Sequence, residues 1–180
     1  MNDSVPTIYR ERVVNAERQA SLISQGVSPV MARLLASRGV GDRAEIEERA
    51  ALLLPPDKLK GAMQAGELLA NAIDNGDRIC IVADYDCDGA TACSVMIRGL
   101  KMLGAKDGAV HFVVPDRAVH GYGLTPPIVD LAMEHSPDVL VTVDNGIASM
   151  EGVRYAKEKG LKVLVTDHHL PAVDDAGTTL

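Results

Sequence analysis

Aromatic residues are scarce in this sequence. Its 180 residues include no Trp, one Phe and four Tyr, whereas hydrophobic residues make up 47% of the chain. A core must therefore be built from Ala, Val, Leu, Ile and Met, and the length suits one domain of ordinary size with a helical extension. The scarcity also argues against a platform of aromatic rings on which nucleobases could stack.

Positively charged residues are fewer than negatively charged ones. The chain has 18 Lys and Arg against 25 Asp and Glu, which gives a formal net charge of -7. This balance argues against a generally basic surface for nucleic acid. It does not exclude a site that cleaves phosphate esters, because such sites concentrate carboxylates that bound metal ions neutralise.

Cysteines are few, and long apolar runs are absent. Cys80, Cys87 and Cys93 show neither the spacing of a metal site nor that of a disulfide framework. No apolar run approaches membrane-spanning length, and the N-terminus lacks the apolar core of a signal peptide. We therefore expect a cytoplasmic protein with reduced thiols and no membrane partner.

Helical patterns fill the first third of the chain. Residues 28–39 carry a capping Ser, a first-turn Pro and a terminal Gly, and a second short helix is predicted over 42–50. Adjacent prolines at 55 and 56 then interrupt the chain. We predict a helical N-terminal extension over residues 1–60 and a second domain over residues 61–180.

Strand and helix patterns alternate from residue 78 onward. The strand patterns are RICIVAD, AVHFVVPD, DVLVTVD and LKVLVTD. Strands that alternate with helical stretches of about 10–15 residues predict βαβ units. The expected fold class is therefore α/β, with a parallel sheet covered by helices on both faces and a short helical segment before it.

An aspartate ends each strand pattern: Asp84, Asp116, Asp144 and Asp167. The carboxyl ends of parallel strands meet at one edge of the sheet, where α/β proteins bind ligands. We therefore expect these carboxylates to gather there, although Asp116 is equally compatible with an ordinary capping role.

The first aspartate belongs to the cluster ADYDCDGAT, in which Asp84, Asp86 and Asp88 occupy alternate positions. In an extended segment these side chains share one face, and three such charges repel one another unless a cation lies among them. Three interpretations follow: an EF-hand loop, a haloacid-dehalogenase-like phosphatase with an Asp-x-Asp pair, or a carboxylate-bridged two-metal site. Val95 stands where an EF-hand needs a bidentate Glu, and a strand precedes the loop, so the first is disfavoured.

The cluster VTDHHLP favours the two-metal interpretation. It places Asp167, His168 and His169 directly after the last strand pattern, and imidazole is a ligand that suits Mn, Zn, Fe or Ni. Neighbouring side chains diverge, so one imidazole could bind metal while the other faces substrate. Asp144, at the end of another strand, is well placed to bridge two ions.

Four motifs together resemble those of the DHH phosphoesterase family. DYDCDGATA, VPDRAVHGYGLT, VTVDNGIAS and VTDHHLP occur in the order and approximate spacing of that family's motifs, over about residues 50–171. The segment GYGLTPPIV and the helical leader are most similar to the family's branch of single-stranded-DNA-specific exonucleases.

The resemblance implies roles for individual residues. The implied metal ligands are Asp86, Asp88, Asp144 and His168. The implied catalytic residues are these four together with His169. Residues that either support the ligands or bind metal themselves are Asp84 and Asp167. Residues implied in substrate binding are Arg117, Tyr122, Gly123 and His169, although Arg117 could equally be a solvated side chain in a flexible loop.

The resemblance also implies an activity. Two divalent ions, Mn²⁺ or Mg²⁺, would support in-line hydrolysis of phosphodiester bonds by a 5′–3′ exonuclease of DNA repair and recombination. Single-stranded DNA is the implied partner, and a single-strand-binding protein or a helicase are candidate protein partners. The alternatives are a small-substrate phosphoesterase for oligonucleotides or cyclic dinucleotides, and a non-catalytic replication scaffold of the same fold.

Two departures from the family pattern are expected to matter. The family's pyrophosphatases and small-nucleotide phosphodiesterases carry a His four residues before the first Asp of the DxD pair, where this sequence has Val82. This difference favours the exonuclease branch. The sequence also stops soon after the fourth motif, before a further aspartate ligand and a second domain, so we expect a fragment that could lack activity alone.

Overall fold

The computed structural model describes residues 9–171 of the chain. Residues 1–8 and 172–180, the outer ends of the two domains predicted from the sequence, lie outside the described part. The chain divides into two compact units, one up to Lys58 and the other from Leu59. The assignment of 1–60 and 61–180 as separate domains stays a prediction.

The first unit contains two helices and three short 3-10 turns. The helices are α1 (Ala16–Ser24) and α2 (Pro29–Ala36), and the turns span Arg43–Ile46, Ala50–Leu52 and Pro56–Lys58. Leu22 of α1 packs against Ala32 and Ala36 of α2 to form a small core. The helix predicted within 28–39 is therefore present.

The prediction of a helix over residues 42–50 was wrong. A capping box between Asp42 and Glu45 starts a 3-10 turn, but the chain is extended again at Glu47. Ile46 is the one large apolar side chain in this stretch and is 42% exposed. Without an apolar face to bury, a short helix gains too little from packing to persist.

The second unit is an α/β fold. Its elements in chain order are α3 (Ala62–Asn75), β1 (Ile79–Ala83), α4 (Cys87–Met102), β2 (Val110–Val113), α5 (Arg117–His120), α6 (Pro126–Met133), β3 (Val139–Val143), α7 (Met150–Glu158) and β4 (Lys162–Thr166). All pairings are parallel, in the order β2-β1-β3-β4. The predicted fold class and the four predicted strands are confirmed.

Helices cover both faces of the sheet. Alternate residues of β1 and β3, such as Ile81 and Val141, pack with α3 and α4 on one face. The intervening residues, such as Val82 and Leu140, pack with α6 and α7 on the other. Both central strands are buried throughout, as expected of strands between two helical layers.

The strand order creates a crevice at the centre of the sheet. The chain leaves β1 for β2 on one side and later returns to β3 on the other side of β1. The crossovers therefore diverge between the carboxyl ends of β1 and β3, which is where open α/β sheets bind their ligands. Asp84 and Asp144 are the residues that follow these two strands.

A membrane-spanning segment needs a helix that is both long and apolar. None of the helices among the described residues meets both conditions.

Candidate metal centre

Three carboxylates meet beside the central crevice. Asp84, Asp86 and Asp144 each offer an oxygen, and these oxygens all lie within 4.8 Å of one another. Asp84 and Asp144 are 8% and 7% exposed, whereas Asp86 is exposed. A concentration of negative charge at partly buried positions is the environment that favours a divalent cation.

Asp86 is held by the start of α4. Its Oδ1 accepts hydrogen bonds of 3.1 Å from the backbone N–H groups of Asp88 and Gly89. The bond from Gly89 is the largest of the influences that hold the pKa of Asp86 below its usual value. Because of this cap, α4 begins at Cys87, the residue that follows Asp86.

Asp144 is fixed by an unusual backbone conformation. Its φ is +62°, a region that few residues other than Gly adopt, although Asp and Asn do so more readily than most. Its backbone N–H donates to Thr166 O of β4 at 3.0 Å. Burial raises the pKa of its carboxyl, a hydrogen bond from His168 opposes this effect, and the charge of Asp86 adds to it.

A second donor group contains the two histidines. His168 Nε2 lies 2.8 Å from Asp144 Oδ1. Ligand atoms of Asp144, His168 and His169 all lie within 4.8 Å of one another. Asp144 therefore belongs to both groups, which is the arrangement needed of a carboxylate that bridges two ions.

Asp167 organises the loop that carries both histidines. Its Oδ1 accepts from the backbone N–H groups of His168 and His169 and lies 2.7 Å from His169 Nδ1, while Oδ2 accepts from Ile147 N. Burial opposes ionisation, but these bonds, led by that from Ile147, hold the pKa of Asp167 below its usual value. The bond to Asp167 raises the pKa of His169, so that ring is oriented and made more basic by its neighbour.

Arg117 lies close to two aromatic rings and to Asp84 of the carboxylate group. Its guanidinium carbon is 4.0 Å from the ring centre of Tyr85 and 4.7 Å from that of Tyr122. Its Nη2 lies 3.3 Å and 3.4 Å from the two oxygens of Asp84. Arg117 begins the one-turn helix α5 and does not lie in the loop expected from the sequence, and its ion pair and stacking restrain the side chain.

Tyr122 and Gly123 lie on the same side of the site. Together with Asp84, Arg117 and Asn145 they line a small polar cleft. The Tyr122 ring meets that of His169 edge-on, with centroids 6.2 Å apart. Burial raises the pKa of Tyr122, and the charges of Asp84, Asp167 and Asp144 add to that effect. The structure thus brings Arg117, Tyr122 and Gly123 together beside Asp84, with the Tyr122 ring next to His169.

Asp88 and Asp116 occupy different positions. Asp88 is exposed in the first turn of α4 and lines a depression of about 290 Å³ with Asp144, Asp167 and His168, but it belongs to neither donor group. Its role as a metal ligand stays a prediction. Asp116 caps α5 by accepting a 2.9 Å bond from Ala118 N.

Two residues at the site were not found by sequence reasoning. Tyr85 was passed over because it lies between two more conspicuous aspartates, and the low aromatic content gave no reason to expect stacking. Asn145 was interpreted only as part of a turn, yet it is 2% exposed and its side chain bonds to two strands. A polar amide directly after the strand-end Asp144 was the available signal.

The donor atoms suit divalent cations. The group Asp84, Asp86 and Asp144 is made of carboxylates, the ligands that Mg²⁺ and Mn²⁺ prefer. The group that contains His168 and His169 adds imidazole nitrogens, which favour Mn²⁺ over Mg²⁺. The residues therefore fit two such ions with Asp144 between them.

Comparisons with known proteins agree with this chemistry. A sequence model described as "DHH family, N-terminal domain" matches residues 78–179. The single-stranded-DNA-specific exonuclease RecJ of Salmonella typhimurium is 43% identical over 162 residues, which cover 90% of this chain and 27% of that protein. RecJ of Escherichia coli is 43% identical over 143 residues, 79% of this chain and 24% of that protein. The chain thus spans about a quarter of the length of these curated relatives.

A solved structure shares the fold. The crystal structure of an exonuclease RecJ bound to manganese matches with a TM-score of 0.60 and 39% identity, covering 68% of this chain and 31% of that one. The match extends the likeness from sequence motifs to the arrangement of the backbone.

Proposed function

This chain belongs to the DHH family, and from that premise we propose that it carries the two-metal site of a single-stranded-DNA-specific exonuclease. The proposed reaction is hydrolysis of phosphodiester bonds in the 5′–3′ direction, in DNA repair and recombination. Single-stranded DNA is the proposed substrate, and the proposed cofactors are two Mn²⁺ or Mg²⁺ ions.

The observation that carries the proposal is the sharing of Asp144 between two donor groups. One group adds Asp84 and Asp86, and the other adds His168 and His169. These two groups would hold two divalent ions, which would supply Lewis acidity for in-line hydrolysis at phosphorus. We also propose Asp88 as a ligand, since its carboxylate lines the same depression as Asp144 and His168.

Arg117 is the proposed contact for the phosphate of the substrate. Its guanidinium carbon lies 4.0 Å and 4.7 Å from the ring centres of Tyr85 and Tyr122, so both rings restrain the group while its N–H groups can bind an anion. The carboxylate of Asp84 accepts a hydrogen bond from one of these N–H groups, on Nη2. A planar guanidinium held in this way suits the recognition of phosphate oxygens.

His169 is the proposed group that faces the substrate. The Asp167 carboxylate fixes Nδ1, which leaves Nε2 as the nitrogen that can exchange a proton or a hydrogen bond with substrate. The bond to Asp167 raises the pKa of His169, which makes the ring a better hydrogen-bond donor toward a phosphate or leaving-group oxygen.

The substrate class rests on the relatives. The curated relatives at 43% identity are exonucleases specific for single-stranded DNA, and a structural relative binds manganese. A location in the cytoplasm is proposed on the free state of all three cysteines. A single-strand-binding protein or a helicase is the proposed class of protein partner, because either would present the substrate.

The test measures mononucleotide release from a 5′-labelled single strand with Mn²⁺ present. It should be made with this chain. Duplex DNA, a dinucleotide and pyrophosphate are the parallel substrates. Rapid release from the single strand alone, abolished by Asp144→Asn and retained by Asp116→Asn, is expected. Cleavage confined to the dinucleotide or pyrophosphate would keep the metal site but contradict the proposed substrate.

A further inference from the structure

The side chain of Asn145 joins the ends of the two central strands. Its Nδ2 donates to Val82 O of β1 at 3.1 Å and to Val143 O of β3 at 2.9 Å. Carbonyl oxygens only accept hydrogen bonds, so these partners fix which end of the amide carries the nitrogen. The residue is 2% exposed, and the two bonds are therefore made away from competing water.

These bonds lie next to the residues that carry the metal-binding carboxylates. The last paired residues of the two strands are Ala83 and Val143, and the next residues are Asp84 and Asp144. Beyond this pair the ladder between β1 and β3 ends. The Asn145 amide thus links the strands at the point where their backbones lead into the site.

The other end of the Asn145 amide is costly to bury. Its Oδ1 is buried and has no hydrogen-bond partner among residues 9–171. A buried acceptor without a partner in the protein costs free energy of folding. This cost of burying Oδ1 is explained if the two N–H donors of the amide are needed between Val82 and Val143.

We propose that Asn145 is a positioning residue that sets the separation of Asp84 and Asp144, and through it the alignment of the two metal-binding groups. On the β4 side, the backbone of Asp144 is held by its bond to Thr166 O. Asn145 supplies the corresponding restraint toward β1. This inference rests on the proposed two-metal function, since it concerns how the ligands are held.

The test compares Mn²⁺ binding by the chain and by three variants. Asn145→Ala removes the amide, Asn145→Asp keeps its size but replaces the donor by an acceptor, and Asn71→Ala is the matched control on the exposed side of α3. Isothermal titration gives the affinity of each ion. Electron paramagnetic resonance distinguishes two coupled Mn²⁺ ions from isolated ones, and thermal unfolding in a chelator shows whether each variant is folded.

The expected result is a weakening of Mn²⁺ binding by about 10–100-fold in both Asn145 variants, the range seen when groups that orient metal ligands are removed. The signal of coupled ions should be lost, while Asn71→Ala matches the unaltered chain. Folded Asn145 variants with unchanged Mn²⁺ affinity and unchanged coupling between the two ions would overturn the inference. Failure of both variants to fold would also overturn it, because Asn145 would then contribute to stability alone. Absence of Mn²⁺ binding in the unaltered chain would instead contradict the proposed function.

Discussion

Asp144 combines a buried carboxylate with a left-handed backbone. The φ of its backbone is +62°. Its carboxyl is buried among other acids, which disfavours the ionised form, and the pKa of the carboxyl is therefore raised, chiefly by burial. A buried negative charge that the bond from His168 offsets only in part lowers the stability of the fold. The residue is therefore better suited to hold cations than to stabilise the protein without them.

Asp144→Asn should raise the melting temperature in a chelator at pH 8. Asn tolerates the left-handed conformation and removes the disfavoured charge, whereas Asp144→Ala should be less stable than Asp144→Asn by about 1 kcal/mol because Ala is strained at positive φ. The destabilisation by Asp144 is complete above its raised folded-state pKa. It disappears as the pH falls through that value toward the ordinary pKa, because the folded state then binds the proton more readily than the unfolded state.

Thermal unfolding of the three proteins from pH 8 to pH 4 checks this expectation. The advantage of Asp144→Asn over the unaltered chain should shrink steadily on acidification. A variant that is less stable than the unaltered chain at pH 8 would show that Asp144 stabilises the fold through its bond to His168.

Thiol reactivity should differ sharply among the three cysteines. Burial raises the pKa of Cys80 to about 12 and also raises that of Cys93, whereas Cys87 is exposed. Because the thiolate is the reactive form, a maleimide at pH 7.5 should label one thiol per folded chain, at Cys87, and three in denaturant. Peptide mass spectrometry gives the sites, and Cys87→Ser should abolish labelling of the folded chain. Rapid labelling of Cys80 would contradict the buried position of β1.

Among the elements, α4 owes its position to the absence of a side chain at Gly89. A Cβ on Gly89 would lie 2.3 Å from the backbone oxygen of Asp84, so the first turn of α4 reaches the end of β1 only with glycine there. Gly99 lies on the same helix, and a Cβ added there would meet no atom within 4 Å. The two positions allow the same substitution to be compared in different surroundings.

Gly89→Ala and Gly99→Ala should have opposite effects on stability. The first must displace α4 from β1 and should lower the free energy of unfolding by about 1–3 kcal/mol, as overpacking does. The second should raise it by about 0.5–1 kcal/mol, because Ala is a better helix former than Gly. Urea unfolding of both variants gives these values, and tolerance of Ala at 89 would show that the helix does not contact Asp84 so closely.

The elements of the second unit were largely predictable because their patterns are local. Each strand is a short apolar run, and each helix that covers the sheet repeats apolar residues at helical spacing, so all four strands followed from the sequence. The helix predicted over 42–50 failed because residue types that favour a helix were present without an apolar face to bury.

The site was predictable only in part, since its contacts join distant segments. Asp144, His168 and His169 were recognisable from their motifs, and the structure brings them together. The contact of Tyr85 with Arg117 joins two distant segments, and the bond from Asn145 to Val82 spans 63 residues. Such contacts depend on side-chain packing that local patterns do not encode.

At the scale of the whole molecule, the excess of negative charge and the sheet topology have a common consequence. The chain carries a net charge of -7, and the order β2-β1-β3-β4 brings several of its carboxylates to one crevice. Binding of divalent cations would offset the repulsion there, and it would stabilise the folded state by mass action. The central claim is that two such ions share Asp144.

The most direct test is the number of Mn²⁺ ions bound per chain, measured by equilibrium titration. The unaltered chain and Asp116→Asn, which alters an aspartate that caps α5 outside both groups, should each bind two ions. Asp144→Asn should bind neither ion tightly, because both groups lose their common ligand. One ion in the unaltered chain, or two retained by Asp144→Asn, would contradict the account.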